Sequence, residues 1–299
     1  MGTSTQRLTL RPGTPVLLRE PGLLQVGLHH PAGASTEVRI LDTPDVRRLL
    51  DLLRQPGGAS LDIDETPVEL ARVVDRLDAA ELVVEVRATA DAESGVRPTV
   101  RAQFGRDAER RLAARAAASV AVEIDPTVER MLEPLIDDLI RRAGLRRVPA
   151  RPMEAAAHLV VASGVLDRER VDPLVQGAMP HLVVSGAGAG MRVGPFVDPG
   201  RTACLRCVDA HEALPDPRRP LLLCQAARQD AEQWPPRDDV LDLMALAWAT
   251  RDLARFVEGD RPSTWSATAD FGPRSGPLVT EWGRHPECGC AWDAWIELP

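Results

Sequence analysis

At 299 residues, with 44% hydrophobic and 27% charged side chains, the chain can bury a real core and has an ordinary globular composition. Its formal net charge of -8, with no basic excess, argues against nucleic-acid binding, where affinity rests on neutralised phosphates. No charged-then-apolar segment opens the chain and no apolar run nears the roughly 18 residues that span a bilayer, so a cytoplasmic location and no membrane partner are expected.

Residues 1–88 read as a small α+β domain. Val16-Leu17-Leu18, residues 24–28 and Val38–Leu41 are short apolar runs parted by Pro/Gly turns, and they predict strands. His29-His30 falls in one of these turns with no acid or nucleophile in view. Thr43-Pro44 starts a helix whose apolar face is Val46, Leu49, Leu50 and Leu53. Thr66-Pro67-Val68-Glu69 has the spacing of a capping box, followed by a stripe of Leu70, Val73, Val74 and Leu77. Leu82-Val83-Val84 reads as a closing strand. Strands, then helices, then a strand suggest a winged-helix module.

Residues 89–115 are rich in Arg, Ala and Asp without an apolar period and read as a linker running into a helix. From 116 to 299 strands and helices alternate. Residues 120–124 predict a strand, Asp125-Pro126 opens a helix carrying Val128, Leu132, Leu135, Ile136, Leu139 and Ile140, and Gly144 stops it. Strands at 158–162, 181–184 and 191–196, with a helix near 168–176, give a βαβαβ order and hence a parallel sheet covered by helices. The cluster Gly186-Ala187-Gly188-Ala189-Gly190 joins two strands and reads as a hairpin loop. A long helix is expected over 238–257, and strands over 264–271 and 278–282.

Four of the five cysteines are paired in sequence. Cys204-Leu205-Arg206-Cys207 has zinc-knuckle spacing, and Cys288-Gly289-Cys290 offers a tighter second half in which glycine relieves the turn. In a cytosolic chain such pairs are expected to ligate metal rather than form disulfides. Four thiolates complete a tetrahedron around zinc and leave no open position, so the site is expected to be structural. Cys224 follows three leucines and is expected to be a small buried hydrophobe. Asp209, His211 and Glu212 lie near the first pair, where a closed metal site gives them no catalytic task.

The stretch from Val193 through Pro195, Asp198, Pro199 and Gly200 to the first cysteine pair, together with His285-Pro286-Glu287-Cys288-Gly289-Cys290, resembles ThiF-like proteins, relatives of ubiquitin-activating enzymes found in peptide natural-product pathways. The resemblance is to the cyclodehydratase-associated subgroup. It implies a winged-helix leader-recognition domain, a Rossmann-like adenylating-enzyme domain, a structural four-cysteine zinc site and, in some relatives, a homodimer. Active members place a glycine-rich turn after the first sheet strand so that phosphates approach main-chain N–H groups. Here the turn is Asp125-Pro126-Thr127-Val128-Glu129-Arg130, acidic and without glycine, so ATP is not an expected cofactor.

The resemblance then implies a non-catalytic, degenerate protein that binds the leader of a ribosomal precursor peptide and delivers it to a separate cyclodehydratase or dehydratase. In leader-binding winged helices the peptide adds as a strand beside the third strand and packs against the third helix. Transferred to this sequence, the contacts are Val38, Arg39, Ile40, Leu41, Arg72, Val73, Arg76 and Leu77, with the arginines facing leader acids. The apolar members of this set also read as core, and the arginines as solvated surface. Two rivals stay open: an active ATP-dependent peptide-adenylating enzyme, and a winged-helix DNA-binding regulator.

Overall fold

A computed structural model describes residues 5–28, 37–55, 57–62, 66–86, 96–149, 155–187, 190–232 and 236–290. His29 and His30 lie outside these residues. The chain divides into two compact units, 1–113 and 114–299.

The first unit runs β1 (Thr5–Leu10), β2 (Val16–Glu20), β3 (Leu23–Val26), β4 (Val38–Leu41), α1 (Pro44–Arg54), β5 (Ala59–Asp62), α2 (Val68–Ala79), β6 (Val83–Glu85), α3 (Val96–Phe104) and then into α4 (Ala108–Ala117). Two antiparallel three-stranded sheets form, ordered β5-β1-β6 and β2-β3-β4. Local chemistry explains α1: the Thr43 hydroxyl accepts the Val46 N–H at 3.3 Å and Pro44 occupies the first turn. Its predicted stripe of Val46, Leu49, Leu50 and Leu53 is buried in one core with Leu24, Val26, Val38, Ile40, Val73 and Leu77.

At α2 the N-cap is Pro67 rather than the expected Thr66, and that cap position makes no side-chain hydrogen bond. Proline pushes the residue before it into extended backbone, which moves the helix start one residue past the position a Thr66 cap requires. The stretch expected as linker carries α3 and α4, whose Val100, Ala108 and Leu112 form a small core of their own. Arg11 ties α3 to β1's end by donating Nε–H to the Ala102 carbonyl at 2.8 Å.

The second unit contains β7 (Ser119–Ile124), α5 (Pro126–Arg142), β8 (Arg146–Pro149), β9 (Ala157–Val161), α6 (Asp172–Gln176), β10 (His181–Ala187), β11 (Gly190–Val197), α7 (Leu205–Glu212), α8 (Arg219–Glu232), α9 (Asp239–Val257), β12 (Ala267–Gly272) and β13 (Ser275–Glu281). Its single sheet has the order β13-β12-β11-β10-β9-β7-β8. The strands β8, β7, β9 and β10 are parallel, whereas β11, β12 and β13 run antiparallel. The sheet is therefore mixed, and the parallel expectation holds for one half of it. Ala187 pairs with Gly190, so the glycine cluster closes a tight hairpin, too short for a parallel crossover. Gly188 and Ala189 themselves lie outside the described residues. Every residue of β9 is buried, the pattern of a central strand covered on both faces. Among the described residues no helix is long and apolar enough to cross a membrane.

Two histidines sit side by side in this sheet, His158 on β9 opposite His181 on β10. His181 Nδ1 lies 2.9 Å from the Met179 carbonyl, so it carries the proton, and neither Nε2 has a partner. Burial lowers His158 and pushes His181 down to about 4. Unfolded, His181 would bind a proton near pH 6.5, so between pH 6.5 and 4 the unfolded state holds more protons and stability falls as pH falls. The expected loss approaches about 3 kcal/mol below pH 4. Urea unfolding of wild type and His181→Leu at pH 7 and pH 5 checks this. An unchanged pH slope in the variant refutes it.

Candidate metal centre and peptide edge

The four paired cysteines come together. Cys204 caps the N-terminus of α7 and Cys207 lies in its first turn, both buried. Cys288 ends a 3₁₀ turn, and Gly289, with φ of 80°, swings the chain back to bring in Cys290. All four sulfurs lie within 4.8 Å of one another. Cys204 is 3.8 Å from Cys207 and 3.4 Å from Cys288, and Cys207 is 3.3 Å from Cys290. Four thiolates at about 2.3 Å from a tetrahedral zinc stand about 3.8 Å apart, whereas a disulfide needs about 2.05 Å. The cluster thus has the dimensions to hold one metal ion and is not disulfide-bonded.

Its surroundings suit a thiolate-rich centre. The His285 N–H donates to Cys207 Sγ at 3.3 Å, and the His285 ring accepts the Glu287 N–H at 3.2 Å, fixing the second cysteine turn. Arg284 bridges the two halves, donating to the Gly200 carbonyl at 2.8 Å and to the Cys290 carbonyl. Hydrogen bonds within the cluster raise Cys204 and lower Cys207. An open cavity of about 280 Å³ flanks the centre, with Cys204 and Cys290 on its wall.

Neighbouring polar residues are engaged elsewhere. Asp209 pairs with Arg168 at 2.7 Å, Glu212 with Arg192 and Arg219, and His211 Nε2 meets the Gly283 carbonyl at 3.0 Å. Cys224 departs from expectation: it is exposed on α8 rather than buried. Three successive leucines cannot share one helix face, and α8 leaves Leu221 and Leu222 in solvent as well.

At the turn after β7, Asp125 caps α5. Its carboxylate accepts the Thr127 N–H at 3.0 Å and the Thr127 hydroxyl at 2.7 Å, while its carbonyl accepts the N–H groups of Val128 and Glu129. Pro126 has no N–H. Asp125 also accepts from Ser163 at 3.3 Å and from Arg170 at 3.4 Å, and Arg170 pairs with Glu123 at 2.6 Å. Hydrogen bonds with Thr127 and the nearby Arg170 hold its carboxyl below the usual range against the raising effect of burial, the largest single influence. This helix N-terminus is saturated by its own chain.

The residues expected to contact peptide fall into two groups. Val38, Ile40, Val73 and Leu77 are buried in the first unit's core. Arg39, Leu41, Arg72 and Arg76 are exposed, Leu41 by 71%. Arg39 meets Glu37 at 3.3 Å, whereas Arg72 and Arg76 have no carboxylate partner among the described residues. Among these residues β4 ends its sheet, and α2 packs against it. The Asp42 N–H donates to the Gly22 carbonyl at 3.0 Å, which sets the phase of the ladder. Val38 and Ile40 therefore bond to β3, and the main-chain groups of Arg39 and Leu41 point to the open edge. The outward direction of that pair, like the Arg284 contacts, carries no signal in the sequence, because ladder phase and carbonyl contacts are set by tertiary pairing.

No protein-family model matches the chain, and no curated protein matches it. Among solved structures it is similar to a heterocyclase in complex with substrate and cofactor, with a TM-score of 0.70 and 16% identity over 98% of this chain and 40% of that one. It is similar to the heterocyclase TruD at a TM-score of 0.70 and 16% identity, covering 96% of this chain and 43% of that one. Escherichia coli MccB with ATP gives a TM-score of 0.59 at 12% identity over 95% of this chain and 99% of that one. The chain thus spans about two fifths of the heterocyclases' length and nearly all of MccB's, and it shares their fold.

Proposed function

We propose that this chain captures the leader of a ribosomally made precursor peptide and presents the remainder to a separate cyclodehydratase or dehydratase, without itself catalysing the modification. The observation that carries this reading is the β4 edge, open among the described residues, where Arg39 and Leu41 offer main-chain donors and acceptors beside Arg72 and Arg76 of α2, which have no carboxylate partner among those residues. Strand addition there would give affinity through the main chain, and acids in the peptide would give selectivity through the arginines. In this reading residues 1–88 are a winged-helix recognition domain, 89–115 a connection, and 116–299 a ThiF-like domain. Cys204, Cys207, Cys288 and Cys290 would hold a structural zinc ion, because four thiolates leave no position for substrate.

Two further observations support it. The α5 N-terminus has its N–H groups occupied by Asp125 and lacks one at Pro126, so this helix start offers a triphosphate no free main-chain donor. The heterocyclases extend well beyond the part this chain matches, and a partner enzyme would supply that remainder here. The likeness to MccB over almost its whole length favours the second reading, a peptide-adenylating enzyme. Titrating a fluorescent leader peptide, taken from a precursor gene beside this one, separates them. Saturable binding without ATP-dependent pyrophosphate exchange is the expected result. No binding at tens of micromolar removes the first reading, and exchange that needs peptide and ATP installs the second.

A further inference from the structure

Open α/β sheets bind ligands at the C-terminal ends of their parallel strands. In this chain the turn after β9 is filled by one of its own side chains. Asp230, late in α8, accepts the main-chain N–H of Val165 at 2.7 Å. A Cβ on Gly164 would stand 2.2 Å from Asp230 Oδ2, 2.6 Å from its Cγ and 2.9 Å from its Cβ. These are the three nearest atoms, and Gly164 has no positive φ, so a methyl group there would collide with that carboxylate and meet no backbone strain. Glycine at 164 is thus a recess shaped for Asp230.

Among the described residues the rest of α8 is held to the body by half-buried contacts alone. None of its residues 219–230 is buried, and Leu221 and Leu222 remain 59% and 51% exposed. Helices dock mainly by burying an apolar face, and here that face is only a half-buried stripe of Leu223, Ala226 and Ala227. At its other end Arg219 reaches Glu212 Oε2 at 2.7 Å, a partly exposed pair of the kind that contributes little. The carboxylate on the Val165 amide is a charge-assisted bond at a partly buried position, the stronger type.

We propose that α8 is a latch over the turn that follows β9, pinned by Asp230 in the Gly164 recess and free to lift when that contact is broken. The latch concerns the second unit alone and stands apart from peptide capture by the first. Hydrogen exchange of the full-length, zinc-loaded chain tests it. In Asp230→Ala the amides of α8 and of Val165 are expected to exchange about tenfold faster or more, with those of β9 and β10 unchanged. Gly164→Ala, which leaves Asp230 present, should produce the same opening. The double variant should fall well short of the sum of the two, since the added methyl then meets the Cβ of residue 230 alone, at 2.9 Å, and no carboxylate. Protection of α8 unchanged in both single variants overturns the latch. So does a double variant whose effect is the sum of the two, or loss of protection spreading through β9 and β10.

Discussion

Replacing Cys207 with Ser is expected to abolish retention of one metal ion per chain and to lower the melting temperature of the second unit by about ten degrees or more. Cys207 is fully buried and has a sulfur neighbour on each side, Cys204 at 3.8 Å and Cys290 at 3.3 Å. Losing one of four thiolates leaves a three-ligand site open to water, and metal affinity falls steeply. The ion would join a helix start at Cys204 to a turn some eighty residues later, so its binding free energy is in part folding free energy. A share of about 5 kcal/mol, well under the total for a site that folds only with metal, corresponds to the stated shift for a unit of this size. A chelator should reproduce the effect on wild type, because the cavity beside Cys204 and Cys290 lets it reach two of the ligands. Cys224→Ser is the control, since that thiol is exposed on α8 and far in role from the cluster. Elemental analysis paired with thermal unfolding decides. If the Cys207→Ser chain melts where wild type does, and metal-stripped wild type melts with it, the centre has no structural role.

What could be read from the sequence was whatever depends on neighbours a few residues away. The α1 stripe, the Asp125-Pro126 helix start and the cysteine spacing are of this kind, and all are present in the structure. What escaped depends on distant pairing. β1 is polar and alternates weakly, and it becomes a central strand only because β5 and β6 flank it from more than fifty residues away. The direction of β12 and β13 is not written in their side chains, so the mixed character of the sheet was visible only at the glycine hairpin. Packing decides burial in the same way: Cys224 follows an apolar triplet, yet its helix rests on the body without burying it. For the candidate peptide contacts, the strand at 38–41 and the helix after Pro67 were legible as elements. Side-chain polarity divided seven of the eight residues correctly into core and surface and failed at Leu41, which alternation puts on the exposed face with Arg39.

That division leads to the sharpest test of peptide capture. Leu41→Pro is expected to weaken leader binding about tenfold, equivalent to about 1.4 kcal/mol, while the first unit stays folded. The Leu41 N–H points to the open edge, so proline removes a donor that only an added strand would use, and edge positions of this type tolerate proline. Its side chain is 71% exposed, so the core loses nothing. Ile40→Pro is the contrast: that N–H belongs to the β3 ladder and the side chain is 2% exposed, so this variant should unfold the unit rather than report on binding. Reversing Arg72 and Arg76 to Glu should weaken binding of a leader with acids opposite α2, and the loss should shrink at high salt, because both arginines are exposed. Circular dichroism confirms folding and anisotropy reads affinity. Undiminished binding by folded Leu41→Pro would mean that peptide does not add to β4. Loss only in the arginine variant would then move the contact wholly onto α2, and loss in neither would remove this surface from the function.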